Sequence, residues 1–201
     1  MRFIYLTFCL LSLLSGGLLA QQGSFFSHTE MGPSFGQVQV WNEEFETRIN
    51  FSFQTLNGVH INDKHALGVL LGLDTYPGFV LVPIAFGWRG AGNVNGKPKF
   101  LYGMDLGYAS AFLEKRVQDN FSEQWYEGGL MVSPNIGWRI RSKSGKRDYT
   151  FSLAYRRQHA YFFEGRRGEG PPLPGLPPGF SSIREESYIF NNLIFRLGIF
   201  I

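Results

Sequence analysis

Hydrophobic and polar residues alternate along most of this chain, most cleanly at its C-terminal stretch. From Leu193, one set of alternate residues is Leu193, Phe195, Leu197, Ile199 and Ile201, and the other is Asn192, Ile194, Arg196, Gly198 and Phe200. A strand sends successive side chains to opposite faces, so one face here is wholly apolar and the other carries Asn, Arg and Gly. The same pattern recurs upstream and predicts strands over His28–Gln37, Phe45–Leu56, His65–Asp74, Phe79–Arg89, Lys99–Phe112, Tyr126–Arg141 and Asp148–Phe162, with Ser187–Ile201 as the eighth. Ile49, Phe51 and Phe53 oppose Arg48, Asn50, Ser52 and Gln54; Ile136, Trp138 and Ile140 oppose Asn135, Gly137 and Arg139. Asn57-Gly58, Asn62-Asp63 and Tyr76-Pro77-Gly78 read as turns, Glu114–Glu123 as a charged loop, and Glu164–Glu186 as a long Gly/Pro loop.

Eight strands is an even count, as closure of an up-and-down antiparallel barrel requires, and it matches the smallest transmembrane barrels, whose interior is filled by side chains. In front stands a segment with one basic residue, an apolar run and small residues before Gln21, the pattern of a secretory signal peptide. Cleavage after Ala20 leaves residues 21–201 as one barrel domain. With export in front of it, the apolar strand face is expected to meet lipid and the polar face the inside of an all-β, eight-stranded antiparallel transmembrane β-barrel in the bacterial outer membrane. A secreted, soluble barrel that binds a lipid is the structural rival.

The inward set then holds Glu30, Asp74 and Asp105 beside Arg48, Arg89, Arg139, Arg156 and Arg196. Buried charges must be paired or hydrated, so these residues are expected to form a network that plugs a polar lumen. A chain that starts in the periplasm places Trp88, Tyr102, Trp138 and Tyr149 near the periplasmic rim. The same threading places Tyr108, Tyr126, Tyr161 and Tyr188 near the outer rim. Aromatic residues favour both membrane–water interfaces, so these sets predict two girdles.

Composition narrows the function classes. The net charge of +3 includes Arg2 of the leader, and so small a balance implies no nucleic-acid partner. The single cysteine, Cys9, lies in the leader, so the mature chain carries no disulfide or thiolate chemistry. No two of the histidines His28, His60, His65 and His159 share a strand face at ligand spacing, so no metal and no cofactor is expected. An enzyme of the outer membrane needs a nucleophile with a base in reach. Only His159 lies near an outer strand end, where Ser181, Ser182, Glu185 or Glu186 could approach from the next loop; the bland reading is a rim histidine, and no catalytic residue is assigned. Arg166 and Arg167, with Arg156 and Arg157, are candidates to pair with lipid phosphates, because arginine binds phosphate in a bidentate way. The proline run in 165–180 suits an extended segment that a surface partner reads.

Val-Leu-Val-Pro-Ile-Ala-Phe-Gly-Trp-Arg-Gly (80–90), a turn with Lys97-Pro98-Lys99, then Phe-Leu-Tyr-Gly-Met-Asp-Leu-Gly-Tyr (100–108) is the most suggestive hairpin. It resembles the paired strands of small eight-stranded outer-membrane barrels of the OmpA/OmpX type, in the style of the outer-membrane β-barrel domain proteins of Bacteroidota. That family commonly ends on an aromatic residue read by the barrel-insertion machinery, whereas this chain ends Phe200-Ile201. The resemblance implies a monomeric Gram-negative membrane protein with outer-membrane lipid or lipopolysaccharide as its surroundings. The favoured role is structural or surface-interacting, with an unidentified surface partner. A lipid-modifying enzyme and a narrow, porin-like pore are the alternatives.

Overall fold

The computed structural model describes residues 25–39, 45–92, 99–142, 147–168 and 174–201. The leader, residues 1–20, and the turn at 93–98 lie outside them. Nine strands follow in chain order: β1 (Phe25–Gln39), β2 (Phe45–His60), β3 (His65–Tyr76), β4 (Phe79–Gly92), β5 (Lys99–Ser110), β6 (Val117–Gln118), β7 (Ser122–Arg141), β8 (Asp148–Arg167) and β9 (Phe180–Phe200). All pairings are antiparallel. Each long strand pairs with the next along the chain, β5 pairs with β7, and β9 returns to pair with β1. Eight long strands therefore close a ring, and β6 adds a two-residue rung to β7. The closing seam is well made at one end, where Ser27 and Ile201 exchange backbone hydrogen bonds of 3.0 and 2.9 Å. Phe25, Ile201 and the connections after β2, β4 and β7 mark the near end of the ring. The connections after β1, β3, β5 and β8 mark the far end.

Three expectations are corrected. Asn57-Gly58 is not a turn: both residues lie inside β2, where Gly58 faces Gly68 of β3 and a Cβ on it would meet the Leu67 carbonyl oxygen at 2.0 Å. The turn sits at 61–64, where the Asn62 side-chain oxygen accepts from the Lys64 and His65 amides. The charged loop after β5 contains β6, whose turn is fixed by Asp119 accepting from the Phe121 and Ser122 amides. Those two N–H groups hold the Asp119 carboxyl below the usual carboxylate range. The long loop before the last strand shrinks to 168–179, because β8 runs to Arg167 and β9 begins at Phe180, paired rung by rung. Gly175 and Gly179 take positive φ there, as its turns demand.

The two faces of the ring differ as the alternation requires. Ile49, Phe86, Leu106, Leu130 and Leu197 point outward and are each 55–78% exposed, and Leu67, Val69, Leu71, Ile84, Ile136 and Phe151 join them. Few soluble monomers expose apolar surface on this scale, and here it girdles the ring. The interior is layered rather than uniformly polar, which amends the expected polar lumen. Phe26, Leu56, Ala66, Leu70, Ala85, Met131 and Phe200 form one apolar cluster. Tyr76, Phe79, Leu81, Ala109, Ala111 and Ala160 form another towards the far end, with Tyr126 and Phe190 packed on it. The charged groups lie among these apolar side chains.

Gly87 shows how tightly the interior is filled. A Cβ there would meet Leu56 Cδ1 at 2.6 Å and Asp105 Oδ1 at 2.8 Å. Gly87→Val is expected to cost about 1–3 kcal/mol through overpacking. A lowered urea midpoint for unfolding checks this.

Candidate functional site

One polar chain crosses the interior. Glu30 on β1 accepts from Ser152 Oγ of β8 at 2.5 Å and from Gln54 Nε2 of β2 at 2.9 Å. The Gln54 carbonyl accepts from Arg156 Nη2 of β8 at 2.8 Å, and Arg156 Nη1 pairs with Asp74 on β3. Strands β8 and β3 are not neighbours in the ring, so Arg156 bridges its hollow. His28 Nε2 lies 2.9 Å from Thr150 Oγ1 and 3.5 Å from Glu30 Oε1. A second unit joins adjacent strands: Arg89 Nη1 and Nη2 meet Asp105 Oδ1 and Oδ2 at 2.6 and 3.2 Å, the bidentate geometry that suits a buried guanidinium. Glu30, Asp74, Asp105, Arg89, Arg156 and Arg196 are all buried. Three carboxylates thus face three guanidiniums.

The remaining expected members are placed differently. Arg139 pairs with Asp148 at 2.6 Å towards the near end, and its guanidinium lies 3.8 Å over the Phe200 ring. Phe200 in turn stacks on Phe26 at 5.3 Å, so this group closes the near end of the interior. Arg48 is half-buried on β2 opposite Gly36, towards the far end. Arg196 is fully buried, yet none of its three guanidinium nitrogens has a hydrogen-bond partner among the described residues. The expectation that it pairs directly with an inward acid is therefore corrected; it balances Glu30, Asp105 and Asp74 through space, beside Arg156. Arg89→Met strands the Asp105 carboxylate, whereas Arg196→Met removes no direct bond. The Arg89 variant is expected to show the larger drop in unfolding midpoint, checked by urea titration of both.

The aromatic residues divide by end. Trp88, Tyr102, Trp138 and Tyr149 all face outward near the near end. There a run of ring contacts links His65, Trp88, Tyr102, Phe100 and Trp138 across β3, β4, β5 and β7, at centroid distances of 5.5–6.2 Å. Towards the far end Tyr108 and Tyr161 stand on the outward side. Tyr126 and Tyr188 do not, which corrects two members of the expected outer girdle. The pairing of β7 with β8 slips between Gly128 and Met131, and that irregularity turns Tyr126 inward to stack on Phe79 at 4.9 Å. Tyr188 follows the inward alternation of Asn192 and Phe190 and stacks on Phe190 at 6.0 Å. Its hydroxyl donates to Glu186, a bond that pushes its pKa up to about 12.

Beyond the ring, β7, β8 and β9 continue as a three-stranded apron. Trp125 packs on both Phe163 and Phe180 there, with Arg116 over the Trp125 ring. Glu123 takes both Arg167 and Arg116 at 3.2 Å, and these cations hold its carboxyl below the usual range. Arg167 is thus paired with protein and Arg166 is exposed. Both lie nine or more residues past Arg157, roughly 30 Å along β8 at 3.3 Å per residue. Arg156 is committed to the interior. Arg157 is the arginine that points outward directly after the apolar positions Phe151, Leu153 and Tyr155.

His159 stands opposite Ile189, while Ser181, Ser182, Glu185 and Glu186 lie further along β9 and face the end of β8. The suggested approach of those groups to His159 is not made. Among the described residues, no three His, Cys, Asp or Glu side chains gather as a metal site needs.

No protein-family model matches this chain, and no curated protein sequence matches it. Among solved structures, the chain is similar to the translocator domain of the autotransporter NalP from Neisseria meningitidis. The alignment covers 98% of this chain and 95% of that one, at 9% identity and a TM-score of 0.27. A likeness at that score carries no argument about what the chain does.

Sequence reasoning missed Asp148, His28, Gln54 and Ser152 as members of the interior network. Asp148 opens the strand predicted over Asp148–Phe162 and shares the parity of Thr150 and Ser152, yet it stands outside the expected network. The other three are not obligatory charges, so charge counting passes over them, although their inward parity was available.

Proposed function

We propose that this chain is a small outer-membrane β-barrel of the OmpA/OmpX type, with a structural or surface-interaction role and a side-chain-plugged interior. The observation that carries the reading is the combination in one closed ring of an exposed apolar belt and a buried charge network. In water the belt would drive association, and in lipid it is the matching surface. Ring closure pairs the first and last strands through the belt except at Gly32 and Pro33, which limits the unpaired edge that hydrocarbon would punish. The leader at residues 1–20 supports export, with the near end in the periplasm and the apron outside. The last strand, ending Phe200-Ile201, is the segment for the insertion machinery to read, and the barrel is a monomer in outer-membrane lipid. The apron and the loop 168–179 form the surface for a partner.

Gel mobility of the outer-membrane fraction, with and without boiling in detergent, tests the reading. A folded band in that fraction that shifts on heating is expected. Recovery from the soluble periplasm with no shift would contradict it and favour a small-ligand carrier.

A further inference from the structure

The seam between β1 and β9 is not closed along its whole length. Its pairing ends at Gly36 opposite Asn192, while β9 continues alone on that side back to Phe180. Where the strands part lies a cavity of about 500 Å³, lined by Phe35, Gly36, Thr47, Tyr155, Asn191, Asn192 and Leu193. Its place is the upper border of the apolar belt. On β9 the outward series runs Ile199, Leu197, Phe195, Leu193 and then Asn191; on β8 it runs Tyr149, Phe151, Leu153, Tyr155 and then Arg157. Arg157 and Asn191 are directly opposed. Opposed residues on one face hold their Cβ atoms about 5 Å apart.

The groups in and next to the notch are chemically one-sided, with Arg157 standing beside the lining on β8 rather than in it. Tyr155 donates its hydroxyl to Asn191 Oδ1 at 2.8 Å, which orients the Asn191 amide nitrogen as a free donor. Odd-numbered β9 residues turn their backbone towards β1, as Ile201 does to Ser27, so the Asn191 backbone faces the seam where its pairing ends. Arg157 is exposed and makes no ion pair with the described residues. Among the described residues, no carboxylate lines the cavity. Below the donors stand Phe35 and Leu193, both on the lipid-facing side. A guanidinium and amide donors above an apolar wall fit a group with an anionic oxygen head and a hydrocarbon tail.

We infer that this notch binds the phosphate of an outer-leaflet lipid. Arg157 and Asn191 hold the phosphate oxygens, and the first part of an acyl chain lies against Phe35 and Leu193. The inference rests on the membrane reading above and moves the phosphate site from the apron arginines to the belt's border.

The test is a native mass-spectrometric titration of the full chain in neutral detergent. The probes are dioleoyl phosphatidylglycerol and, without phosphate, dioleoylglycerol. The wild type is expected to retain the phospholipid in preference. Arg157→Gln is expected to weaken it about tenfold, the loss of one charged hydrogen-bonding group. Asn191→Leu should weaken it also, whereas Arg166→Gln should leave it unchanged. Equal retention of dioleoylglycerol, an Arg157→Gln variant that binds like wild type, or displacement of the lipid by millimolar inorganic phosphate would each overturn the site. The heat-dependent mobility shift of every variant is read in parallel. A shift kept without lipid preference sinks the notch alone; a wild type lacking the shift sinks the membrane reading.

Discussion

Asp74→Ala is expected to lower the unfolding free energy by about 3–5 kcal/mol, the range for removing one partner of a buried ion pair. The size follows from where Arg156 is left. Its guanidinium is fully buried, reaches across the ring from β8, and among the described residues would keep only Gln54 as a hydrogen-bond acceptor. Gln54 also donates to Glu30, so the disturbance would pass to the carboxylate that Ser152 holds. Replacing both charges, as Asp74→Leu with Arg156→Met, is expected to recover much of the loss, because a well-packed apolar pair carries no desolvation cost. Urea unfolding of the lipid-reconstituted wild type and both variants, followed by tryptophan fluorescence, is the measurement. A single variant as stable as the wild type would show that water reaches Arg156 freely, and the plugged interior would be wrong.

The second large effect is on the outside. Leu106→Arg is expected to cost about 2–4 kcal/mol in a bilayer, the figure for arginine on the lipid face near the midplane. Leu106 lies between Tyr102 and Tyr108 of β5 and faces Phe86 of β4, which is 78% exposed. Leu106 is itself 55% exposed, so in a water-soluble ring the same change would be nearly neutral or favourable. The sign and size of this one substitution separate lipid from water as the outer medium. Unfolding in vesicles compared with neutral detergent is the measurement, and equal stability of the variant and wild type in vesicles would count against the belt.

How much of this was legible in the sequence depended on what lay on each side of a strand. Where a strand has the charged interior on one face and the apolar belt on the other, its residues must alternate. The eight long strands therefore show in the pattern, and Glu30, Asp74, Asp105, Arg89, Arg156 and Arg196 fall on one parity. Past the belt both faces meet water and the constraint disappears. Ser-Ser-Ile-Arg-Glu-Glu-Ser at 181–187 reads as loop, yet it is held in β9 by pairing with β8. The slip between Gly128 and Met131 cannot be seen in a period-two reading, and it reverses Tyr126. Arg196 marks another limit. Parity places it inside, but parity does not say which side chain reaches which across a ring. The notch at the β1–β9 seam depends on where pairing between the first and last strands stops, a distance of more than 150 residues along the chain that no local pattern encodes.

The central claim is that the outward parity of the strands faces hydrocarbon. Nitroxide labels on single cysteines at Asn191, Leu193, Phe195, Leu197 and Ile199, in a chain with Cys9 replaced by serine and reconstituted in vesicles, test it most directly. Accessibility to oxygen relative to a water-soluble nickel chelate is the readout. The account predicts a ratio that is low at Asn191, rises to a maximum near Phe195 and falls again towards Ile199. A ratio that stays low at all five positions, with the chelate reaching Phe195 as freely as Asn191, would contradict it.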